Sequence, residues 1–143
     1  MSGPTSAAPD PRSSTGRQVL VAVYAVFAIA AGSRSAVQLV TKGDEAPLAY
    51  GLSLAAALVY LVATLALRRT TPMAHRVALT AVLVELVGVL VVGTLTVVDG
   101  ELFPDQTVWS TYGIGYGFVP LVLPVVGLWW LLSHPPEPAD PVR

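Results

Sequence analysis

The sequence contains no cysteine, no asparagine and a single lysine, and only 12% of its 143 residues are charged. The absence of cysteine excludes disulfides, thiol catalysis and cysteine-ligated metals. The absence of asparagine excludes an N-glycosylation sequon. A net charge of −1 gives no electrostatic basis for binding nucleic acid. Because so few charges cannot cover the surface of a soluble domain of this length, we expect a single domain in a lipid bilayer. No sequence pattern indicates a cofactor or metal site, so none is expected.

Hydrophobic residues make up 54% of the chain, and its mean hydropathy is +0.67. They concentrate in four stretches, each close to the about 20 residues that a helix needs to cross a hydrocarbon core. A backbone in lipid must satisfy its own hydrogen bonds, so these stretches are predicted to be helices. The predicted fold is all-α, a bundle of four transmembrane helices at about 18–40, 47–67, 75–98 and 111–132. The ends, residues 1–16 and 133–143, are rich in small polar residues or proline and are predicted to be disordered tails.

Basic and acidic residues divide between the two sides of the predicted bundle. One side receives six of the seven arginines: Arg12, Arg17, Arg68, Arg69, Arg76 and Arg143. The other side receives the lysine and five acids: Lys42, Asp44, Glu45, Asp99, Glu101 and Asp105. Basic loops stay in the cytoplasm, so both ends of the chain are predicted to be cytoplasmic. Trp109 and Tyr112 would then mark the outer membrane interface, and Trp129 and Trp130 the inner one.

A cleaved signal peptide is the alternative for the first stretch. Arg12 and Arg17 precede an apolar run that ends in Ala28-Ile29-Ala30, which is typical of a cleavage site. The apolar pattern continues beyond that site through Ala36–Val40 and favours an intact helix. Cleavage would leave three helices in the same orientation.

Glu85 falls near the predicted bilayer midplane, where an acid costs about 2.5–3.5 kcal/mol on insertion scales. Small residues on the same helix face, Ala78, Ala81 and Gly88, let another helix approach closely. Glu85 is therefore predicted to point into the bundle, where an unpaired acid would be protonated at neutral pH. It is interpreted either as a proton or cation site or as a structural anchor to another helix.

Arg34 is the second charge well inside the predicted helices. Gln38 and Thr41 follow it at four and seven residues and form a polar stripe with it. Arg34 could snorkel to the headgroups, pair with the acidic outer loop, or form a buried ion pair with Glu85. The polar candidates inside the predicted bundle are Glu85, Arg34, Gln38, Tyr60 and Tyr116.

The second and fourth helices carry two further faces. On the second helix, one polar face is predicted to turn inward and to hold water or interhelical hydrogen bonds: Tyr50, Ser53, Ala57, Tyr60 and Thr64. On the fourth, glycine and proline recur in steps of four and three: Gly113, Gly117, Pro120, Pro124 and Gly127. This second pattern predicts close packing with a kink at each proline, or alternatively a broken helix near a site, as transporters use.

Six blocks form a specific pattern between residues 17 and 132: Arg34–Gln38, Lys42–Tyr50, Glu85–Gly93, Leu102–Asp105, Thr107–Ser110 and Tyr112–Pro124. Together they resemble the small integral membrane proteins of actinobacteria. The resemblance implies a multi-pass protein of the bacterial plasma membrane. It transfers no catalytic residue, because no activity is assigned to that family.

The leading functional hypothesis is a non-enzymatic membrane protein, a structural or accessory subunit of a larger complex. Short loops leave little room for a catalytic site, and faces of small residues favour membrane protein partners or a homo-oligomer. The alternative is a small proton-coupled transporter or exporter that uses Glu85. Small multidrug exporters also have four helices and an essential membrane glutamate, but theirs lies in the first helix. The third hypothesis is an enzyme that acts at the membrane surface. No acid–base or nucleophile constellation in the sequence supports it.

Overall fold

The computed structural model describes residues 11–42, 44–103 and 105–136, and within these ranges the chain forms helices and no strand. Its elements are α1 (Pro11–Lys42), α2 (Pro47–Leu67), α3 (Pro72–Val98), two 3₁₀ helices (Gly100–Leu102 and Ser110–Tyr116) and α4 (Val119–Ser133). The all-α class that hydropathy predicts is confirmed for the described residues.

Three helices are long and apolar enough to cross a membrane: α1 from Thr15 onward, α2 and α3. The second 3₁₀ helix and α4 together meet the same criterion, but they are bent by 99° and count as a fourth span only if taken as one. The chain is therefore a multi-pass membrane protein by the length and composition of its helices. Each helix packs mainly against its neighbour in sequence.

The helix ends differ from prediction at three places. Helix α1 begins at Pro11, so residues 11–16 are helical, whereas the sequence predicts a disordered tail there. Helix α3 begins at Pro72, where the Thr71 hydroxyl caps it by accepting a hydrogen bond from the amide of Ala74 at 3.1 Å. Proline at the first position costs no hydrogen bond. Helix α4 includes Ser133, and residues 134–136 follow it without helical structure. The other predicted tail residues, 1–10 and 137–143, lie outside the described ranges.

Small side chains bring α1 and α2 close together. Ala31 and Ser35 of α1 are buried, and a Cβ atom added to Gly32 would lie 3.8 Å from that of Ala57 in α2. Such small residues allow close backbone approach without relying on a difference in hydrophobicity from lipid. The polar face of α2 is buried in full, as its spacing predicts: Tyr50, Ser53, Ala57, Tyr60 and Thr64.

The prediction of one continuous fourth helix at 111–132 is wrong. Gly117 and Phe118 both have left-handed backbones, with φ of 63° and 61°, and they separate the 3₁₀ helix from α4. Left-handed residues cannot continue a right-handed helix. Pro120 lies in the first turn of α4, so it begins that helix and does not kink it, and Pro124 is the proline inside it.

The five glycines and prolines of this stretch consequently do not share one helix face. Gly113 precedes the break and is buried against Pro120, whose Cγ would lie 2.6 Å from a Cβ added there. Gly117 is exposed, whereas Pro124 and Gly127 are buried within α4. The break therefore replaces the predicted stripe by a local contact between Gly113 and Pro120 and leaves Gly117 exposed.

The part of the chain between α3 and α4 folds back into the bundle. We call residues 105–116 the re-entrant segment, because the side chain of Trp109 reaches Gly88 in the interior of α3. Trp109 is only 4% exposed, so its ring packs inside the protein, whereas the sequence predicts a position at the outer membrane interface. At the opposite end Trp130 is also buried, while Trp129 is 65% exposed.

Candidate functional site

Glu85 occupies the centre of the bundle. It lies thirteen residues from either end of α3 and has no exposed surface. The hydroxyl of Tyr24 in α1 donates a hydrogen bond of 2.7 Å to its Oε1 atom. Ala78 and Ala81, on the same face of α3, are buried as well. Glu85 therefore points into the protein, in the direction that its small neighbours predict.

The second carboxyl oxygen of Glu85 is buried without a hydrogen-bond partner. An ionised carboxylate would leave this atom as an uncompensated charge away from water, which costs several kcal/mol. The neutral acid carries no such charge and still accepts the Tyr24 hydrogen bond. Chemically, the site can exchange one proton or hold two helices together.

Aromatic side chains from three other elements enclose the acid. The rings of Tyr24 and Tyr60 have centroids 6.1 Å apart, and the indole Nε1 of Trp109 donates a hydrogen bond of 2.9 Å to the Tyr60 hydroxyl. We call Tyr24, Tyr60, Glu85 and Trp109 the Glu85 cluster; one residue comes from each of α1, α2, α3 and the re-entrant segment. Gly127 lets α4 approach, since a Cβ there would lie 3.3 Å from the Tyr24 hydroxyl.

Trp109 is the member of the Glu85 cluster that the re-entrant segment contributes, and its ring packs against α3. A Cβ atom added to Gly88, one turn along α3 from Glu85, would lie 2.5 Å from Cζ3 of Trp109, so only glycine leaves room for the ring. The turn that carries Trp109 is tied to α2, where the hydroxyl of Ser53 accepts a hydrogen bond of 3.2 Å from the amide of Val108. The Trp109 side chain thus fills the interior near Glu85, and contacts with α2 and α3 fix its position.

Arg34 does not pair with Glu85. Its Nη1 atom donates a hydrogen bond of 3.2 Å to the hydroxyl of Tyr116 rather than to any acid, and both side chains are half-buried. Phe27 packs between the rings of Tyr116 and Tyr60, with centroid distances of 5.6 Å and 5.7 Å, and so fills the gap between the two charges. The hypothesis of a buried ion pair joining the first and third helices is wrong, because Arg34 donates to Tyr116 and Glu85 accepts from Tyr24.

The predicted polar stripe beyond Arg34 does not act as a unit. Gln38 is half-buried, and its buried Oε1 atom has no hydrogen-bond partner. The hydroxyl of Thr41 donates to the carbonyl of Val37 at 2.6 Å, within its own helix. Neither residue contacts the Glu85 cluster by a hydrogen bond.

Sequence reasoning missed Tyr24 and the inward position of Trp109. Tyr24 is the only tyrosine in the first apolar stretch, and that isolated hydroxyl was the available signal for a partner of Glu85. At the basic end it also missed a stack in which Arg17 lies over the ring of Trp130 at 5.3 Å and the His134 ring lies 4.5 Å from it. This stack joins the start of α1 to the end of α4.

We expect Tyr24→Phe to lower the free energy of unfolding by about 1–2 kcal/mol, because it leaves both Glu85 oxygens unsatisfied. The double variant Tyr24→Phe/Glu85→Leu removes both partners and is expected to be more stable than Tyr24→Phe alone. Unfolding in one mild detergent measures both. Tyr112→Phe is the control, because it removes an exposed hydrogen bond to Thr94 and should cost less. Equal losses for the two tyrosine variants would contradict the role assigned to Tyr24.

Asp105 connects the re-entrant segment to the start of α2 through a hydrogen bond. The hydroxyl of Tyr50 donates to its Oδ2 atom at 2.8 Å, and the amide of Gln106 donates to Oδ1 at 2.8 Å. These hydrogen bonds, that from Tyr50 first, hold the pKa of Asp105 below its ordinary value of 3.8.

A lowered pKa stabilises the folded state above the ordinary carboxyl range, and this stabilisation is lost as the pH falls through the folded-state pKa. We therefore expect a modest drop in melting temperature on acidification below the ordinary pKa of Asp105. Solvent screening keeps the effect small. Tyr50→Phe should remove part of this pH dependence; identical melting curves against pH for wild type and variant would contradict it.

In the described part of the chain, no set of three or more His, Asp or Glu side chains converges in a way that could hold a metal ion. The Glu85 cluster is the strongest candidate site among the described residues, and its buried carboxyl can exchange a proton or accept hydrogen bonds. Comparison with protein-family models, with curated proteins and with solved structures returned no match.

Proposed function

We propose that this chain is a four-span protein of a bacterial plasma membrane, of the actinobacterial type that its sequence blocks resemble, with both ends in the cytoplasm. Its first apolar stretch is an intact helix, and the bent pair of helices forms the fourth span. The distribution of charge supports this orientation. Arg68, Arg69 and Arg76 flank the connection between α2 and α3, whereas Asp44 and Glu45 flank the connection at the opposite end.

Within that membrane we propose a non-enzymatic role, as a structural or accessory subunit of a larger complex. The observation that carries this proposal is the filled interior. Tyr24, Tyr60 and Glu85 have no exposed surface, and Trp109 closes the space beside them. Five grooves on the described surface are lined by other residues. A packed polar core fixes the arrangement of helices and leaves their outer apolar faces to lipid and partner helices.

A pull-down of the tagged full-length chain in mild detergent, followed by mass spectrometry, tests the accessory role. We expect a stoichiometric membrane protein partner, or a defined homo-oligomer, that is retained when the pH changes. A tagged, unrelated four-helix membrane protein is the control bait. A strictly monomeric chain that recovers the same proteins as the control would contradict the proposal.

A proton-coupled transporter is the second candidate, and the unpartnered Oε2 atom of Glu85 is what favours it. A carboxyl with a free oxygen can take up and release a proton if the packing opens. Proton flux into liposomes containing the purified protein separates the two functions. Transport predicts flux by the wild type that Glu85→Gln abolishes while leaving the fold intact. The accessory role predicts no flux by either protein.

A further inference from the structure

A groove lies on the outer surface between the second half of α2 and the first half of α3. Its part nearest the α2–α3 connection has a volume of about 640 Å³, and its part further along the helices about 390 Å³. Val62 and Val77 line both parts, so the two parts are adjacent. Together they form an elongated, open groove that starts at one end of the bundle.

The walls of the groove away from the connection are aliphatic. Leu58, Val62 and Val84 line it and are 44–56% exposed. Thr80 is the one residue with a hydroxyl among those lining this part, and that hydroxyl donates to the carbonyl of Arg76 at 2.9 Å. Apart from Arg76, no residue lining this part offers a charged group to a ligand. Its shape and chemistry fit a hydrocarbon chain.

The other end of the groove is strongly basic. Arg68 and Arg69 line the larger cavity, Arg76 lines the smaller one, and all three residues are exposed. The sequence from residue 46 to residue 84 contains no Asp or Glu to neutralise them. Helix α3 also begins here, at Pro72, with the positive end of its dipole towards the arginines. Three arginine side chains therefore lie at one end of an apolar groove.

We propose that this groove binds an anionic phospholipid, whose phosphate contacts Arg68, Arg69 and Arg76 and whose acyl chain lies between α2 and α3. A soluble anion would use the arginines and leave the groove empty, and a neutral lipid would use the groove without the arginines. A lipid with a negative headgroup satisfies both. Basic pockets between transmembrane helices on the cytoplasmic side bind such headgroups. The inference rests on the transmembrane placement proposed above and is independent of the accessory role.

Lipid binding to the purified full-length chain in a neutral detergent tests the proposal. Phosphatidylglycerol and phosphatidylcholine with identical acyl chains are titrated while native mass spectrometry counts bound lipid and thermal unfolding reports stability. We expect phosphatidylglycerol to bind at least about tenfold more tightly, since each cation near an anionic headgroup contributes. The triple variant Arg68→Gln/Arg69→Gln/Arg76→Gln should lose this preference. Lys42→Gln removes a cation at the opposite end and should retain it.

The apolar half of the site is tested separately. Val77→Trp fills the groove while keeping every arginine, and it should weaken both lipids. Inorganic phosphate at matched concentration should leave the melting temperature unchanged; a rise equal to that from phosphatidylglycerol would mean a soluble-anion site and overturn the proposal. Equal binding of the two lipids by the wild type would overturn it as well, even if a variant fails to fold. A chain that stays monodisperse in buffer without detergent would instead overturn the membrane placement itself.

Discussion

Trp109→Ala is expected to lower the free energy of unfolding by about 3–5 kcal/mol, the range for deleting a large buried aromatic side chain. The variant empties the space against Gly88 and removes the hydrogen bond that Trp109 donates to Tyr60. The buried Tyr60 hydroxyl then loses its donor, which adds to the cost. Equilibrium or thermal unfolding in a single mild detergent measures the loss.

Trp129→Ala is the matched control, because Trp129 belongs to the same residue type but is 65% exposed on α4. We expect it to cost far less than Trp109→Ala. A Trp109→Ala protein as stable as the Trp129→Ala protein would show that the re-entrant segment does not enter the bundle. Indole fluorescence adds an independent check, since quenchers confined to the lipid or to water should reach Trp129 more readily than Trp109.

Gly88→Val is expected to destabilise the protein by about 3 kcal/mol, at the upper end of the usual cost of overpacking. Its Cβ atom alone would lie 2.5 Å from the Trp109 ring, far inside the about 3.5–4.0 Å at which carbon atoms attract. The ring must therefore move, and the re-entrant segment must move with it. Melting temperature in detergent reports the loss.

Combining Gly88→Val with Trp109→Ala separates this clash from other effects of valine in a helix. The added side chain enters the space that the indole vacates, so Gly88→Val should cost much less in that background, as a positive coupling in the double-mutant cycle. Gly51→Val is the control, because a Cβ atom at Gly51 of α2 meets nothing within 4 Å. Strict additivity of the two substitutions would refute direct contact between Gly88 and Trp109.

Periodicity within one helix was sufficient to orient several residues. The small side chains of Ala78 and Ala81 recur on the face of Glu85, and that spacing alone predicts which way the acid points. The same reasoning turns Tyr60 and Thr64 of α2 inward, where the structure buries them. Such inferences work because hydrocarbon length and helical repeat constrain each stretch separately.

Contacts between distant parts of the chain were not predictable in this way. The left-handed backbone at Thr111 and Tyr112 costs about 1–2 kcal/mol per residue, and nothing in those residues favours it. Contacts with α3 stabilise it: the hydroxyl of Thr96 accepts from the amide of Thr111 at 2.8 Å, and Gly93 leaves space for the Tyr112 ring. The hydropathy of residues 111–132 taken together predicts an ordinary apolar helix and gives no information about these contacts. The hydrogen bond between Arg34 and Tyr116 joins residues 82 positions apart, so periodicity within one helix could not predict it either.

Because the chain breaks at Gly117 and Phe118, the apolar helices of the protein differ in length. With a rise of 1.5 Å per residue, the 15 residues of α4 extend about 22 Å, less than the about 30 Å of a hydrocarbon core, whereas the 27 residues of α3 extend about 40 Å. A hydrophobic helix that is too short thins the bilayer around it. One that is too long tilts, or thickens the bilayer around it. Beside α4 the 3₁₀ helix Ser110–Tyr116 must therefore complete the proposed fourth span, and lipid there should be thinner than lipid beside the longer α3.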